Sequence, residues 1–217
     1  MFPESTAFPP DAQRNYEGTG RLVIKGKISG SPYAVRMPDA PQHTATQLLG
    51  DVGTRLPHTR RVAEQASMVR NVLDDRWSHV IVDAAWLHAI GYSPALSSTG
   101  LHPLDGARWL RAEGFSEDTC SLVAWHTGAI YEARERGLEN ELQNEFAPPA
   151  PSALDALTWA DLTSSPSGDL VSPEVRLNEI MDRYESGSPV WLAITAGLED
   201  FQGSTGRIEK LLEGRNG

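Results

Sequence analysis

Four histidines and one aspartate in this chain have the residue types and settings of metal ligands. They are His58 in LPHTRRVAEQASMV, His88 in VDAAWLHAIGYSP, His102 in GLHPLDGARWL, His126 in SLVAWHTGA, and Asp161 in LTWADLTSSP. The chain has only 6 histidines, and these four fall near helix ends or in apolar helical runs. Rings so placed can converge on one cavity between helices. Neutral imidazole with carboxylate is the donor set of zinc, manganese, iron or nickel, so the pattern predicts a divalent-metal site. A lone histidine on an apolar face is more often a satisfied core residue, and His79, beside Ser78 with no acid noted nearby, is given that reading. His43, in the linker MPDAPQH, is read as an exposed bystander.

The elements that would position these rings are helical from about Thr44 onward. TATQLLGDVG predicts a short helix stopped by glycine. Pro57 suits the first position of the next helix, where His58, Val62, Gln65, Ala66 and Val69 recur at three or four and place His58 on the inward face. HVIVDAAWLHAIGY predicts a central core helix with His88 in its last turn and Gly91 as its stop. HPLDGARWLRAEG and SEDTCSLVAWHTG predict two more, with His102 opening one and His126 closing the other. YEARERGLENELQNEF reads as a solvated, partly helical excursion, and SALDALTWADL as a helix capped by Ser152. SPEVRLNEIMDRYE, PVWLAITAGLEDF and GRIEKLLEG complete an all-α body over residues 45–217. Residues 1–44 form an N-terminal arm: poorly ordered to about residue 20, then a short hairpin or extended piece over RLVIKGKI and SPYAVR.

Composition bounds the partners. A net charge of −10, from 19 basic and 29 acidic residues, argues against a nucleic-acid polymer or an anionic membrane as partner. No stretch reaches the roughly 20 apolar residues of a membrane span. The start MFPESTAFPPDAQ lacks the basic and apolar run of a signal peptide, so the expected location is cytoplasmic. Cys120, the only cysteine, reads as a buried structural thiol. Trp86, Trp109, Trp125 and Trp159 read as core rather than as base-stacking residues. A homodimer is compatible with the sequence, which assigns residues 1–44 no role.

Over roughly residues 45–195 the sequence resembles the HD-domain metal-dependent phosphohydrolase superfamily. LPHTRRVAEQA is similar to its first-histidine helix and AAWLHAIGYSP to its histidine–aspartate signature. LHPLDGARWLR and LVAWHTGA are similar to the later histidine motifs of the two-metal members, and LTWADLTSSPSGDLVSPEVRLNEI to the closing aspartate segment. The resemblance implies a helical HD-domain bundle holding two divalent ions (manganese, iron, nickel, cobalt or zinc). His58, His88 and Asp161 would hold one ion, and His102 and His126 the other. The aspartate that bridges the pair in the family is Ala89 here. A methyl group can neither supply charge to two ions nor fix their separation. No nearby acid replaces it, since Asp83 falls on a different helix face. The otherwise complete motif set favours an inactivated copy over a drifting pseudoenzyme, which would be expected to lose more than one ligand.

The reaction implied is hydrolysis of a small phosphate ester, a nucleotide or cyclic nucleotide, crippled in this form by Ala89. Two ions about 3.5–4 Å apart would acidify a bridging water and neutralise phosphoryl oxygens. Arg61, one turn from His58, and Thr127 are candidate substrate contacts, with Arg108 and the loop SSTG (97–100) as further options. Asp105, three residues after His102, is a candidate acceptor for an imidazole N–H. Two other readings use the same residues: an iron-dependent oxygenase acting on a small organic substrate, and a non-catalytic ligand-binding module with Ala89 as its native residue.

Overall fold

The computed structural model describes residues 13–17, 21–28, 31–36 and 39–215. The chain divides into two compact units, Met1–Ala40 and Pro41–Gly217. In the first, β1 (Gln13–Glu17), β2 (Arg21–Ile28) and β3 (Ser31–Arg36) form an antiparallel sheet in the order β1-β2-β3. β2 and β3 make the expected hairpin, with Ile28 opposite Ser31 and Val23 opposite Arg36. β1 pairs Gln13 with Lys25 and Glu17 with Arg21. It corrects the reading of residues 13–17 as poorly ordered; the rest of that stretch, residues 1–12 and 18–20, lies outside the described residues.

The second unit is all helical: α1 (Pro41–Leu49), α2 (Arg55–Val69), α3 (Asp75–Leu87), α4 (His102–Ala112), α5 (Glu117–Trp125), α6 (Ala129–Glu135), α7 (Glu139–Glu145), α8 (Pro151–Leu162), α9 (Pro173–Arg183) and α10 (Pro189–Glu213). None of these is long and apolar enough to cross a membrane. Helix α1 begins three residues before Thr44, inside the stretch read as a linker. In α2 the buried residues include His58, Val62, Gln65, Ala66 and Val69, the inward face expected from spacing. Pro57 is its third residue rather than its first. The missing N–H costs nothing there, because the first backbone bond of the helix is donated by His58 N to Thr54 O, 3.3 Å. Helix α3 starts at Asp75, capped by Asp74, so exposed His79 lies in its second turn, near Asp83.

The central helix is α8 rather than α3. Helix α3 buries one stripe (Trp77, Ile81, Ala84, Ala85 and Leu87), whereas α8 is buried on all sides from Asp155 to Leu162. Helix α8 starts with Pro151 after Ala150, and Ser152 does not cap it. The charged stretch before it is less solvated than its composition predicts, because Leu142 and Phe146 are buried in the core. Helix α10 runs unbroken through Gly197, Gly203 and Gly206, joining two segments the glycines had separated in sequence. At Gly197 a side chain would meet the Phe201 ring at 2.5 Å, so packing keeps glycine there.

Gly91 shows the same logic with a larger consequence. It lies in the short 3₁₀ turn Ile90–Tyr92 after α3, and its role is close approach rather than helix termination. A Cβ at Gly91 would stand 2.0 Å from the His102 carbonyl oxygen and 2.8 Å from Gly106 N. Gly91→Ala therefore forces α4 away from the turn and shifts His102. The expected cost is about 3 kcal/mol or more, seen as a fall of roughly 6–12 °C in Tm. An unchanged Tm would rule out this packing.

Candidate metal centre

Five helix ends deliver the candidate ligands. His58 is in the first turn of α2, His88 follows the last residue of α3, and His102 is the first residue of α4. His126 follows α5, and Asp161 is the penultimate residue of α8. The rings form a chain of edge contacts: His58–His88 centroids are 5.3 Å apart, His88–His126 5.2 Å and His102–His126 5.1 Å. His58, His88, His126 and Asp161 are buried, and His102 is half-buried. Ligand atoms of His58, His88 and Asp161 all lie within 4.8 Å of one another, so this cluster could hold a metal ion.

Backbone carbonyls set the tautomers of three rings. His88 Nδ1–H donates to Ala85 O at 2.7 Å, His126 Nδ1–H to Val123 O at 2.6 Å, and His58 Nδ1–H to Ser165 O at 3.2 Å. In each ring Nε2 is left for the cavity, as in metal-ligating histidines whose other nitrogen is tied to the protein. Two close pairs follow. His58 Nε2 faces Asp161 Oδ1 at 3.0 Å, and His126 Nε2 faces His102 Nε2 at 3.2 Å. Each contact needs a proton or a cation between its lone pairs. The donor set therefore fits a divalent ion, which would replace the proton shared by His58 and Asp161.

The electrostatics agree. Burial pushes the His88 imidazole down to about 3, and it drives His102 well below, and His126 below, the ordinary histidine value. These rings are thus neutral, the form that ligates. For Asp161 burial opposes charge, but the His58 hydrogen bond and the nearby His58, His88 and Arg176 outweigh it and hold the carboxyl well below the usual range.

A turn after α5 aims His126. Thr127 has φ 34° and ψ 60°, a left-handed conformation costly for a β-branched residue, and Gly128 follows at φ 76°. A Cβ at Gly128 would meet the Phe201 ring at 2.4 Å. Thr127 lines the histidine cavity, as does Ala89. The cavity measures about 80 Å³.

Four expectations are corrected here. Arg61 does not line the cavity: its Nε donates to Gly168 O at 2.7 Å and its Nη1 pairs with Glu64 at 2.6 Å. One turn along the helix carries its long side chain out to the loop holding Gly168. Asp105 accepts from Ser98 N, Ser98 Oγ and Thr99 Oγ1 at 3.0, 2.8 and 2.9 Å, so it pins the loop before α4 instead of orienting an imidazole. The SSTG loop is thereby held outside the cavity lining. Arg108 is occupied by Glu141 and Glu145. Cys120 is buried, and burial pushes its thiol up to about 12, as befits a structural residue. None of the four tryptophans lines the cavity.

Sequence reasoning missed Arg55, Tyr92, Glu132 and Arg176, all of which line the cavity. Tyr92 stacks on His102 at 3.8 Å and 18°, and the Arg55 guanidinium lies 3.6 Å from the Tyr92 centroid. Tyr92 was within reach in AAWLHAIGYSP, as was Arg176 in SPEVRLNEI; nothing in their spacing marks them as inward. Glu132 receives Arg136 Nε at 2.8 Å, so it is already engaged. The chain matches no family model, no curated protein and no solved structure.

Proposed function

We propose that this chain is a metal-dependent phosphohydrolase of HD type acting on a small phosphate ester, its second metal position weakened by Ala89. The observation that carries the reading is the tautomer lock: three imidazoles tied through Nδ1 to Ser165, Ala85 and Val123 turn Nε2 into one cavity that also holds Asp161. His58, His88 and Asp161 would hold the first ion, and His102 with His126 a second. Divalent ions bound there would supply the charge that acidifies water and neutralises phosphoryl oxygens. The protein's own residues do the rest. Ser165, Ala85 and Val123 carbonyls keep the rings oriented, and the apolar wall of Ile180, Val190, Ile194 and Phe201 limits water. Tyr92 fixes the plane of His102.

The test is phosphate release from a panel of nucleotides and simple phosphate esters, each with manganese, nickel, cobalt or zinc, on this chain and on Ala89→Asp. Hydrolysis by the aspartate form and only a trace by the alanine form is the expected result. Bound iron with oxygen consumption and no phosphate release would replace this reading with the oxygenase one. An aspartate form inert with every metal would leave a ligand-binding module.

A further inference from the structure

Among the described residues four buried side-chain polar atoms have no hydrogen-bond partner: Thr59 Oγ1, Thr127 Oγ1, Trp159 Nε1 and Arg176 Nε. Two of the four, on Thr127 and Arg176, belong to residues lining the histidine cavity. Buried groups left unmet are rare, and a pair of them at one cavity points to a missing acceptor. Arg176 is only 5% exposed. Its Nη1 bonds Glu179, which also takes Nε and Nη2 of Arg183. One carboxylate thus serves two guanidinium groups and leaves positive charge over. Arg55 adds a third guanidinium beside Tyr92 and, among the described residues, forms no ion pair. In a chain of net charge −10, this lining sets three arginines against Glu132, which is already paired with Arg136, and Asp161, so guanidinium groups outnumber acids here.

We propose that Arg55, Arg176 and Arg183 form a clamp for a phosphate-sized oxyanion, with Arg176 Nε and Thr127 Oγ1 donating to its oxygens beside the histidine cluster. The choice of phosphate rests on the phosphohydrolase reading. Guanidinium groups suit this role because their planar forks match phosphate oxygens in pairs. The cavity volume of about 80 Å³ corresponds to roughly five to eight waters. That admits an anionic head group but not a whole nucleotide, so the phosphate enters ahead of the rest of the substrate.

The experiment titrates inorganic phosphate into the full chain by calorimetry, at low salt and after metal has been removed with EDTA. Arg55→Gln and Arg176→Lys are titrated beside it. Arg176→Lys keeps the charge next to Glu179 and removes only the fork. One phosphate per chain is expected, with affinity lowered about tenfold or more in each variant. A purely structural role for these arginines would leave affinity unchanged. Should Arg176→Lys fail to fold, half-buried Arg55→Gln decides alone. Absence of saturable binding by the metal-free chain, or equal affinity in Arg55→Gln, overturns the clamp. No metal is present in this titration, so the clamp and the metal site can fail separately.

Discussion

Ala89→Asp is expected to make the protein less stable without metal and more active with it. Ala89 is 1% exposed and lines the histidine cavity. A carboxylate placed there without a bound metal ion is a buried charge in a site that already holds the ionised Asp161. The expected loss is about 2–4 kcal/mol in the presence of EDTA. Divalent metal should more than restore it, because ligand binding to the folded state alone raises stability by mass action. The new carboxylate gives the His102 and His126 pair the charged third ligand that they lack. Bound metal should rise from about one to about two ions per chain, and ester hydrolysis by about a hundredfold or more. Thermal unfolding with and without manganese, followed by phosphate release, reads both effects. A metal-free variant as stable as the parent would place residue 89 away from the charge cluster.

Acid should unfold the metal-free protein well above the range in which carboxylates titrate. His88, His102 and His126 all have folded values below the ordinary 6.5, chiefly through burial. Below pH 6.5 the unfolded chain therefore binds protons that the folded chain refuses, and stability falls as pH falls. His88, held at about 3, contributes up to about 1.4 kcal/mol per pH unit, or about 2 kcal/mol between pH 6.5 and 5, and His102 and His126 add to it in the same direction. Asp161 acts elsewhere. Its depressed value supports the fold above the usual carboxylate pKa, and that support is lost only at lower pH. Urea unfolding at pH 7.5, 6.5 and 5.5 in EDTA measures the slope. Stability that stays flat across this range would mean that the rings are not held neutral.

Helix positions and the inward histidines were legible because periodicity reports burial: His58, Val62 and Val69 share a spacing and a face. The metal-ligand candidates were legible because rare residues stood at helix ends. Contacts made across the fold were not. Nothing local in sequence says that Arg61 turns to the Gly168 carbonyl, or that Asp105 accepts from Ser98 and Thr99. The central place of α8 was hidden for a similar reason. Its Asp155, Thr158 and Asp161 look like a polar face, yet all three are buried, Asp155 by pairing with Arg207 at 2.6 Å. Gly91 looked like a helix stop because glycine often is one, whereas the constraint is the His102 carbonyl 2.0 Å from where its Cβ would lie.

The most direct measurement is metal stoichiometry. The chain and Asp161→Asn are each dialysed against excess manganese, freed of loose ion and analysed for the element. Asp161 is the one carboxylate in the cluster with His58 and His88. The parent should keep about one ion per chain, and Asp161→Asn should keep almost none. A parent that keeps no ion, or a variant that keeps as much as the parent, contradicts the metal centre.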